Sequence, residues 1–375
     1  MKVLTLVGTR PELIKLSCAL KELDRSVEHI LVHTGQNFDY ELNEVFFEQL
    51  GIRKPDYFLE AAGANPAETI ANVITKTDVL LEQIKPDAFL VYGDTNSCIG
   101  VIAAKKRRIP IFHMEAGNRC FDQRVPEEVN RKIVDHLSDI NMVLSEHARR
   151  YLIMEGIRPE TIIKTGSSML EVLNEHKNAI ENSKVLENEN LEKENYIIVS
   201  THREENIDSP QNFQALLDTL ETLQNHFQKT IIVSTHPRTR NKLEATGFVN
   251  KNLNIRFMKP FGFFEYIKLQ KEAFCVVSDS GTITEEASLL KIPAVTIRQA
   301  HERPEGMDEG TLIMTGLNPE NVIRAIEITR NHFIDEIPFE VVEDYAAESV
   351  SKKVVKIILS YTGYINRTVW RKNDL

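Results

Sequence analysis

Two kinds of segment alternate along this chain: short runs rich in valine, isoleucine and leucine, and longer amphipathic stretches of helical period. The first half contains the runs KVLTLVG, EHILVHTG, DAFLVYGD and IPIFHME, separated by stretches such as PELIKLSCALKEL. A strand that is apolar at nearly every position is buried on both faces, so the alternation predicts parallel sheets covered by helices. The predicted fold class is therefore α/β.

The length and one polar stretch divide the chain. At 375 residues it is longer than one hydrophobic core usually serves, which favours two domains. The stretch KNAIENSKVLENENLEKEN, residues 177–195, separates two series of strand–helix repeats. We expect an N-terminal domain over 1–176, a second α/β domain over 196–350 and a C-terminal amphipathic helix within 351–375.

Composition and charge exclude several classes of partner. The formal net charge is −10, from 45 basic and 55 acidic residues, which argues against nucleic acid or an anionic membrane surface as the main partner. A local group of arginines can still bind a small anionic ligand. The four cysteines are widely spaced, and no run of ~18 apolar residues occurs. The apolar run KVLTLVG is too short for the core of a signal peptide, so we do not expect one. We expect a cytoplasmic protein that does not interact with membranes.

The hexapeptide IIVSTH occurs twice, from Ile197 and again from Ile231. A single segment of helical period lies between the copies, so a βαβ unit explains the repeat better than a helical array. We expect the two strands to deliver His202 and His236 to the same edge of one sheet. A histidine followed by an arginine suits a diphosphate, whereas the alternative is a pair of hydrogen-bonded structural histidines.

The first strand ends in Gly8-Thr9-Arg10-Pro11, where parallel sheets bind their ligands. Gly8 suits a tight turn and Pro11 suits the first turn of a helix, so we expect Arg10 to project at the ligand, with Lys15 one turn later. The alternative is an ordinary helix start with solvated charges.

Asp94 and Glu115 each end an apolar strand, with Gly93 just before the first and Gly117 two residues after the second. Carboxylates at the ends of adjacent parallel strands share one edge of the sheet and suit general acid and base catalysis. Asp94 is also compatible with a simple helix cap before TNSCIG. Glu127, in VPEEVNRKIVDHL, is by spacing alone an ordinary acidic residue in a first helical turn.

The stretch SDSGTITEEASLL predicts a strand followed by a helix whose N-terminus can bind phosphate through Ser280, Gly281 and Thr282. Thr282 and Glu285 have the spacing of a capping box, which would leave Glu286 to accept hydrogen bonds from ribose hydroxyls. Further on, HERPEG places Arg303 in a loop that is either a phosphate clamp or simply solvated.

Several cofactor motifs do not occur in the sequence. There is no G-x-G-x-x-G after the first strand, no P-loop, no H-E-x-x-H and no cysteine cluster. We therefore expect chemistry on a phosphorylated ligand without a cofactor or a metal.

Seven motifs together resemble the non-hydrolysing UDP-N-acetylglucosamine 2-epimerases. They are GTRPELIK, VYGDT, HMEAGNR, VPEEVNRK, STHRE, SDSGTITEEA and HERPEG, in family order between residues 8 and 306. The resemblance implies two Rossmann-like domains in a glycosyltransferase-B-like fold, with the active site in the interdomain cleft. It also implies a C-terminal helix that returns to the first domain, and a homodimer.

The resemblance also implies roles for individual residues. The family's catalytic residues fall on Asp94, Glu115, Glu127 and His202. Its nucleotide-sugar contacts fall on Arg10, Lys15, Ser280, Gly281, Thr282, Glu286 and Arg303, with Tyr266 placed to pack on uracil and His236 matching a family histidine. The implied reaction is anti elimination of UDP to a 2-acetamidoglycal, followed by re-addition with inversion at C2.

The subtype motifs HMEAGNRCFDQRVPEE, STHREENID and RQAHERPEGMDEG resemble the branch that forms UDP-N-acetyl-L-fucosamine from UDP-2-acetamido-2,6-dideoxy-L-talose for capsule or O-antigen. His301 departs from the T-E-R-P-E loop of the general branch. The stretch GQNFDYEL departs from the segment that binds a second, activating UDP-N-acetylglucosamine.

Three other functions are compatible with parts of this pattern. A glycosyltransferase would share the nucleotide-binding half and differ in the first domain. A hydrolysing epimerase would differ mainly in how well it excludes water. A non-catalytic nucleotide-sugar sensor would tolerate Asp94→Asn, but every catalytic motif position is retained.

Overall fold

The computed structural model describes residues 1–36, 47–300, 302–334, 336 and 338–372. The chain forms two compact units, Met1–Asn174 together with Glu343–Leu375, and Glu175–Val342. Each unit contains one parallel sheet, so the predicted class of two parallel-sheet α/β domains is confirmed. The polar stretch 177–195 lies in the second unit, where Val185 packs beside Tyr196 and Leu269.

The first unit is built on one parallel sheet whose central strands are buried over most of their length. Its strands are β1 (Lys2–Val7), β2 (Glu28–His33), β3 (Tyr57–Phe58), β4 (Ala88–Tyr92), β5 (Ile111–Ala116), β6 (Ile140–Val143) and β7 (Ile162–Lys164). Their order is β3-β2-β1-β4-β5-β6-β7, and every pair is parallel. The order reverses between β1 and β4, which is where open α/β sheets bind ligands.

Amphipathic helices flank this sheet. They are Arg10–Ser26, Pro66–Ile84, Val101–Lys106, Glu127–Leu137, Glu146–Met154, Met169–Glu175 and Val350–Thr368, with 3-10 turns at Asn96–Gly100, Pro159–Thr161 and Glu343–Tyr345. The last helix packs against the first one, Arg10–Ser26. Among the described residues, no helix is long and apolar enough to cross a membrane.

The second unit repeats the topology of the first. Its strands are β8 (Tyr196–Thr201), β9 (Thr230–Thr235), β10 (Ile255–Met258), β11 (Cys275–Ser278), β12 (Ala294–Thr296) and β13 (Ile313–Met314). They lie in the order β10-β9-β8-β11-β12-β13, so this sheet reverses between β8 and β11. Its helices are Lys177–Glu181, Val185–Asn188, Glu204–Ile207, Pro210–Phe227, Pro237–Ala245, Phe263–Glu272, Ile283–Leu290, Pro304–Asp308 and Pro319–His332.

The duplicated hexapeptide forms β8 and β9, which are neighbours in the second sheet. They pair in parallel with Ile197 opposite Ile231 and Thr201 opposite Thr235. The two copies are thus in register, and the histidine after each strand emerges at the same edge of the sheet.

Gly8 allows a close approach at the end of β1. A Cβ atom at this position would lie 1.8 Å from Oγ of Ser97 and 2.2 Å from Oγ1 of Thr34. The sequence predicts a tight turn here, whereas in the structure the lack of a Cβ at Gly8 makes room for the side chains of Ser97 and Thr34.

Glu12 joins the ends of β1 and β4. One carboxylate oxygen accepts a hydrogen bond from the Gly8 N–H at 2.7 Å, and the other accepts from the Thr95 hydroxyl at 2.5 Å. Glu12 is only 2% exposed, and this burial raises the pKa of its carboxyl group to about 7.

We expect Gly8→Ala to lower the free energy of unfolding by about 1–3 kcal/mol, because the new methyl group overlaps two packed hydroxyls. Gly363→Ala is the control, since Gly363 lies inside the helix Val350–Thr368 and an added Cβ meets only the Arg367 guanidinium, at 3.3 Å. That change should raise stability by about 0.5–1 kcal/mol. Urea unfolding of both variants measures the difference, and equal effects would contradict the packing argument.

The raised pKa of Glu12 predicts a pH dependence of stability. The folded protein holds this proton more tightly than the unfolded chain, so the contribution is complete below pH 4.5 and is lost as the pH rises towards 7. Relative to Glu12→Gln, the wild type should lose up to about 1.4 kcal/mol per pH unit in this window. Urea unfolding of both proteins between pH 4.5 and 8 tests this, and parallel stability curves would show that Glu12 does not titrate there.

Candidate active site

Asp94 follows β4 and is held by an arginine. Its Oδ2 lies 2.8 Å from Nε of Arg131, while Thr95 provides the N-cap of the turn Asn96–Gly100. The helix-cap interpretation of Asp94 is therefore wrong. Arg131 also donates to Glu128 at 2.9 Å, so one buried guanidinium links two carboxylates of the first unit.

Glu115 has the most constrained backbone among the predicted catalytic residues. Its φ of 62° lies in the left-handed region, and the pairing of β5 with β6 is irregular between Met114 and Ala116. Such a conformation costs about 1–3 kcal/mol in a residue other than glycine and is characteristic of functional sites. The bulge turns the Glu115 carboxylate away from the direction that regular alternation of side chains along the strand would give it.

Two donors share one oxygen of Glu115. Lys15 Nζ lies 2.9 Å from Oε2, and the Tyr92 hydroxyl donates to the same atom at 2.6 Å. Lys15 is buried, and this ion pair joins the helix after β1 to the end of β5. Lys15 was predicted to contact the nucleotide sugar, whereas its ion pair in the structure orients a predicted catalytic residue.

Glu127 and Glu128 are adjacent but differ in environment. Glu127 is the first residue of the helix Glu127–Leu137 and is partly exposed, whereas Pro126 occupies the N-cap position. Glu128 is buried and accepts from the backbone N–H groups of Cys120 and Phe121, both at 3.2 Å. Glu128 therefore fixes the loop between Glu115 and Glu127, a role that the sequence analysis missed.

Arg10 is the first residue of the helix Arg10–Ser26 and is partly exposed. Pro11 follows it in the first turn, where a helix accommodates proline. Arg10 follows β1, and Asp94 follows β4, so the two residues flank the reversal of strand order in the first sheet. The polar side chains of this edge thus come from the strand ends that the topology brings together.

His202 and His236 lie side by side in the second unit, with ring centroids 6.0 Å apart. His236 is exposed and caps the helix Pro237–Ala245, accepting from the Arg238 N–H at 3.3 Å. The His202 side chain is 40% exposed, and its Nδ1 lies 3.2 Å from Oδ1 of Asp279. The two copies of the hexapeptide therefore present different histidines, one a helix cap and one paired with a carboxylate.

Asp279, which the sequence analysis did not single out, organises the reversal between β8 and β11. It is buried and accepts from the backbone N–H groups of His202 and Arg203 and from the Asn206 amide, at 3.0–3.1 Å. Burial alone would raise the pKa of Asp279, but the charge of His202 and these hydrogen bonds bring it below its usual value.

The helix Ile283–Leu290 follows β11 through Ser280, Gly281 and Thr282, as predicted. The capping-box prediction is wrong. Thr282 has helical backbone angles with its hydroxyl 3.0 Å from that of Ser280, and Glu285 pairs with Arg303 at 2.8 Å. Because the backbone of Thr282 is already helical, its hydroxyl does not make the capping hydrogen bond.

Glu286 is buried, and its Oε2 accepts from the Gln270 amide at 2.7 Å. This contact uses one carboxylate oxygen, and the role of Glu286 towards ribose hydroxyls stays a prediction. Gln270 and Tyr266 belong to one helix, Phe263–Glu272. Burial and the nearby Glu286 raise the pKa of Tyr266, whose hydroxyl is a hydrogen-bonding neighbour of Ser200 and Gln270.

The HERPEG segment is not a solvated loop at Arg303, which is buried and precedes the short helix Pro304–Asp308. Its neighbour Glu302, also buried, lies 2.6 Å from Arg298 and 3.3 Å from Arg203. A Cβ at Gly281 would come within 2.3 Å of Oε1 of Glu302, so this glycine is needed for the close approach. The site thus gathers three arginines around the start of one helix.

Two sequence predictions fall on residues that lie outside the described part of the chain. They are His301 and most of the stretch GQNFDYEL, from residue 37 onward. Within the described residues, no group of three or more His, Cys, Asp or Glu side chains is arranged to hold a metal ion.

Two solved structures of known proteins are similar to this chain in sequence and fold. A solved structure of UDP-N-acetylglucosamine 2-epimerase from Rickettsia bellii is 53% identical, with a TM-score of 0.91 over 99% of this chain and 100% of that one. The Methanocaldococcus jannaschii UDP-GlcNAc 2-epimerase in complex with UDP-GlcNAc and UDP is 31% identical, with a TM-score of 0.90 over 96% of this chain and 100% of that one. These matches support the glycosyltransferase-B-like fold.

A curated relative acts on another sugar. The UDP-2,3-diacetamido-2,3-dideoxy-D-glucuronate 2-epimerase of Pseudomonas aeruginosa is 33% identical over 330 residues, which cover 87% of this chain and 91% of that protein. The profile of the UDP-N-acetylglucosamine 2-epimerase family matches residues 21–359. The chain therefore belongs to the UDP-N-acetylglucosamine 2-epimerase family.

Proposed function

We propose that this chain is a non-hydrolysing isomerase that inverts C2 of a UDP-2-acetamido sugar. The observation that carries the proposal is Glu115, a carboxylate on a left-handed bulge whose Oε2 is held by both Lys15 and Tyr92. A strained, doubly anchored carboxylate at the carboxyl edge of a parallel sheet is poorly explained by folding alone. Membership of the family supplies the reaction class.

The chemistry requires a leaving group. The C2 proton of an unoxidised sugar is not acidic, so its removal must accompany cleavage of the C1–O bond, with the electron pair leaving on UDP. Re-addition forms the C1–O bond again while a proton is delivered to the opposite face of C2. Atoms and charges balance without an oxidant, and the two faces need separate acid and base groups.

We assign the proton transfers at C2 to Asp94, Glu115 and Glu127. Asp94 is oriented by Arg131, and Glu115 is oriented by Lys15 and Tyr92. A carboxylate that is already held by a cation suits proton transfer, because its position is fixed before the substrate binds.

We assign the departing diphosphate to the second unit together with Arg10. His202, supported by Asp279, can donate a hydrogen bond to a leaving oxygen, and Arg203 and Arg303 supply positive charge near the helix that begins at Ile283. The N–H groups of Gly281 and its neighbours add the donors of a helix N-terminus. Glu286 and Tyr266 are assigned to the nucleoside.

The finer substrate assignment is UDP-2-acetamido-2,6-dideoxy-L-talose, converted to UDP-N-acetyl-L-fucosamine for a surface polysaccharide. It is supported by the motifs HMEAGNRCFDQRVPEE and RQAHERPEGMDEG. UDP-N-acetylglucosamine, which the Methanocaldococcus jannaschii relative holds in its complex, is the second candidate. We further propose that the enzyme acts in the cytoplasm as a homodimer.

We expect proton NMR in deuterated water to show new anomeric signals and deuterium at C2 when the protein meets its substrate. The two candidate sugars are supplied in separate reactions, and the one that reacts identifies the branch. Release of UDP with a free sugar would indicate a hydrolysing enzyme instead. If neither sugar epimerises or exchanges at C2, the epimerase proposal fails, and a transferase or a sensor becomes the better assignment.

We expect Asp94→Asn and Glu115→Gln each to lower kcat by about 10²–10⁴-fold, because each keeps the shape of the side chain and removes its proton-transfer capacity. The matched control is Asp78→Asn, since Asp78 pairs with Nε of Arg107 at 2.6 Å, as Asp94 pairs with Arg131. The control should leave kcat unchanged. Initial rates are measured by NMR on folded proteins, and near-wild-type rates in Asp94→Asn would remove that residue from the mechanism.

A further inference from the structure

A buried histidine–aspartate pair lies behind the predicted catalytic carboxylates of the first unit. His113 belongs to β5, two residues before Glu115, and Asp135 belongs to the helix that begins at Glu127. Both residues are 1% exposed. Neither has a part in the proton transfers proposed above, because neither reaches the surface of the site.

The pair contacts the two glycine turns that carry the carboxylates. Nε2 of His113 lies 2.7 Å from the carbonyl oxygen of Gly93, the residue before Asp94. Both oxygens of Asp135 lie 3.2 Å from the backbone nitrogen of Gly117, two residues after Glu115. Both glycines have left-handed backbones, with φ of 72° and 83°.

The hydrogen-bonding partners fix the orientation of the His113 ring. A carbonyl oxygen can only accept, so Nε2 of His113 donates to Gly93. Nδ1 lies 2.9 Å from Oδ1 of Asp135, whose other oxygen accepts from Arg119 at 2.7 Å. Burial alone would raise the pKa of Asp135, but His113 and Arg119 hold it below its usual value. The ring is thus fixed between a backbone carbonyl and a buried aspartate.

The surrounding charges balance this arrangement. Arg119 is fully buried and also pairs with Glu155, at 2.7 Å. Asp135 and Glu155 thus share one buried cation, Arg119. A buried network of this kind is stable only when every member keeps its partner, which makes it a rigid support.

We propose that His113 and Asp135 are positioning residues that set the relative placement of Asp94, Glu115 and Glu127. The pair holds the turn before the first carboxylate through a carbonyl and the turn after the second through an N–H. The third carboxylate begins the helix that contains Asp135. This inference rests on the proposed epimerase function, and it adds residues that the family motifs did not assign to catalysis.

The first test is spectroscopic and uses the wild-type protein labelled with ¹⁵N at its histidines. Nε2 of His113 should show the chemical shift of a protonated nitrogen, because it faces the carbonyl oxygen of Gly93. The signal is assigned by its loss in His113→Gln or, should that variant not fold, by its shift in Asp135→Asn. Finding Nε2 unprotonated in the wild type would overturn the contact through which the pair holds the Gly93 turn.

The second test is kinetic. We expect His113→Gln to lower kcat by about 10²-fold with much less change in KM, because displaced catalytic groups affect the transition state more than binding. The matched control is His29→Gln. The His29 side chain is 1% exposed and also pairs with an aspartate, Asp24 at 2.6 Å, but it lies on β2 away from the three carboxylates.

The two variants separate positioning from mere stability. If both lower the unfolding midpoint but only His113→Gln lowers kcat, the pair positions the catalytic groups. Equal kcat values in the two folded variants would overturn the proposal. Rates are compared with those of the wild type on whichever sugar it converts, so a wild type without C2 exchange refutes the proposed function, and the NMR test of the pair still applies.

Discussion

The constraint on which the rest of the structure depends is the pairing of apolar strands in parallel. Such strands must satisfy their backbone hydrogen bonds with one another, which places all their carboxyl ends at one edge of the sheet. Where the strand order reverses, the loops after two adjacent strands diverge and leave room for a ligand. The polar residues after β1 and β4, and those after β8 and β11, lie at these two reversals.

Burial of charge is the second constraint, and it explains why the predicted catalytic residues are so firmly held. Lys15 pairs with Glu115, and Arg131 pairs with Asp94, each with the cation buried. A buried cation without a partner is strongly unfavourable, so these pairs can form only in one arrangement of the strand ends. The energetic requirement of folding therefore also orients the groups that the proposed reaction needs.

Much of the fold was predictable from the sequence, because continuous apolar runs indicate strands that are buried on both faces. The residues that follow such strands indicate the edge of the sheet at which ligands bind. The same logic correctly brought His202 beside His236. The partners of these residues were less accessible. Nothing in the local sequence indicates that Arg131 reaches Asp94, or that Glu285 prefers Arg303 to a capping box, since both pairings join segments distant in the chain. Spacing motifs describe local alternatives, and tertiary ion pairs decide between them.

The two units share one strand topology, but they gather side chains of opposite charge where the strand order reverses. In the first unit the reversal between β1 and β4 collects carboxylates, each steadied by a cation from a neighbouring helix. In the second, the reversal between β8 and β11 collects arginines and a histidine, steadied by Asp279 and Glu302. The proposed elimination moves a proton at one carbon and releases a diphosphate at the next, so it needs both carboxylates and cations. One fold can carry either kind of side chain, because the sheet determines only where the loops meet, while the loop sequences determine the charge that they carry.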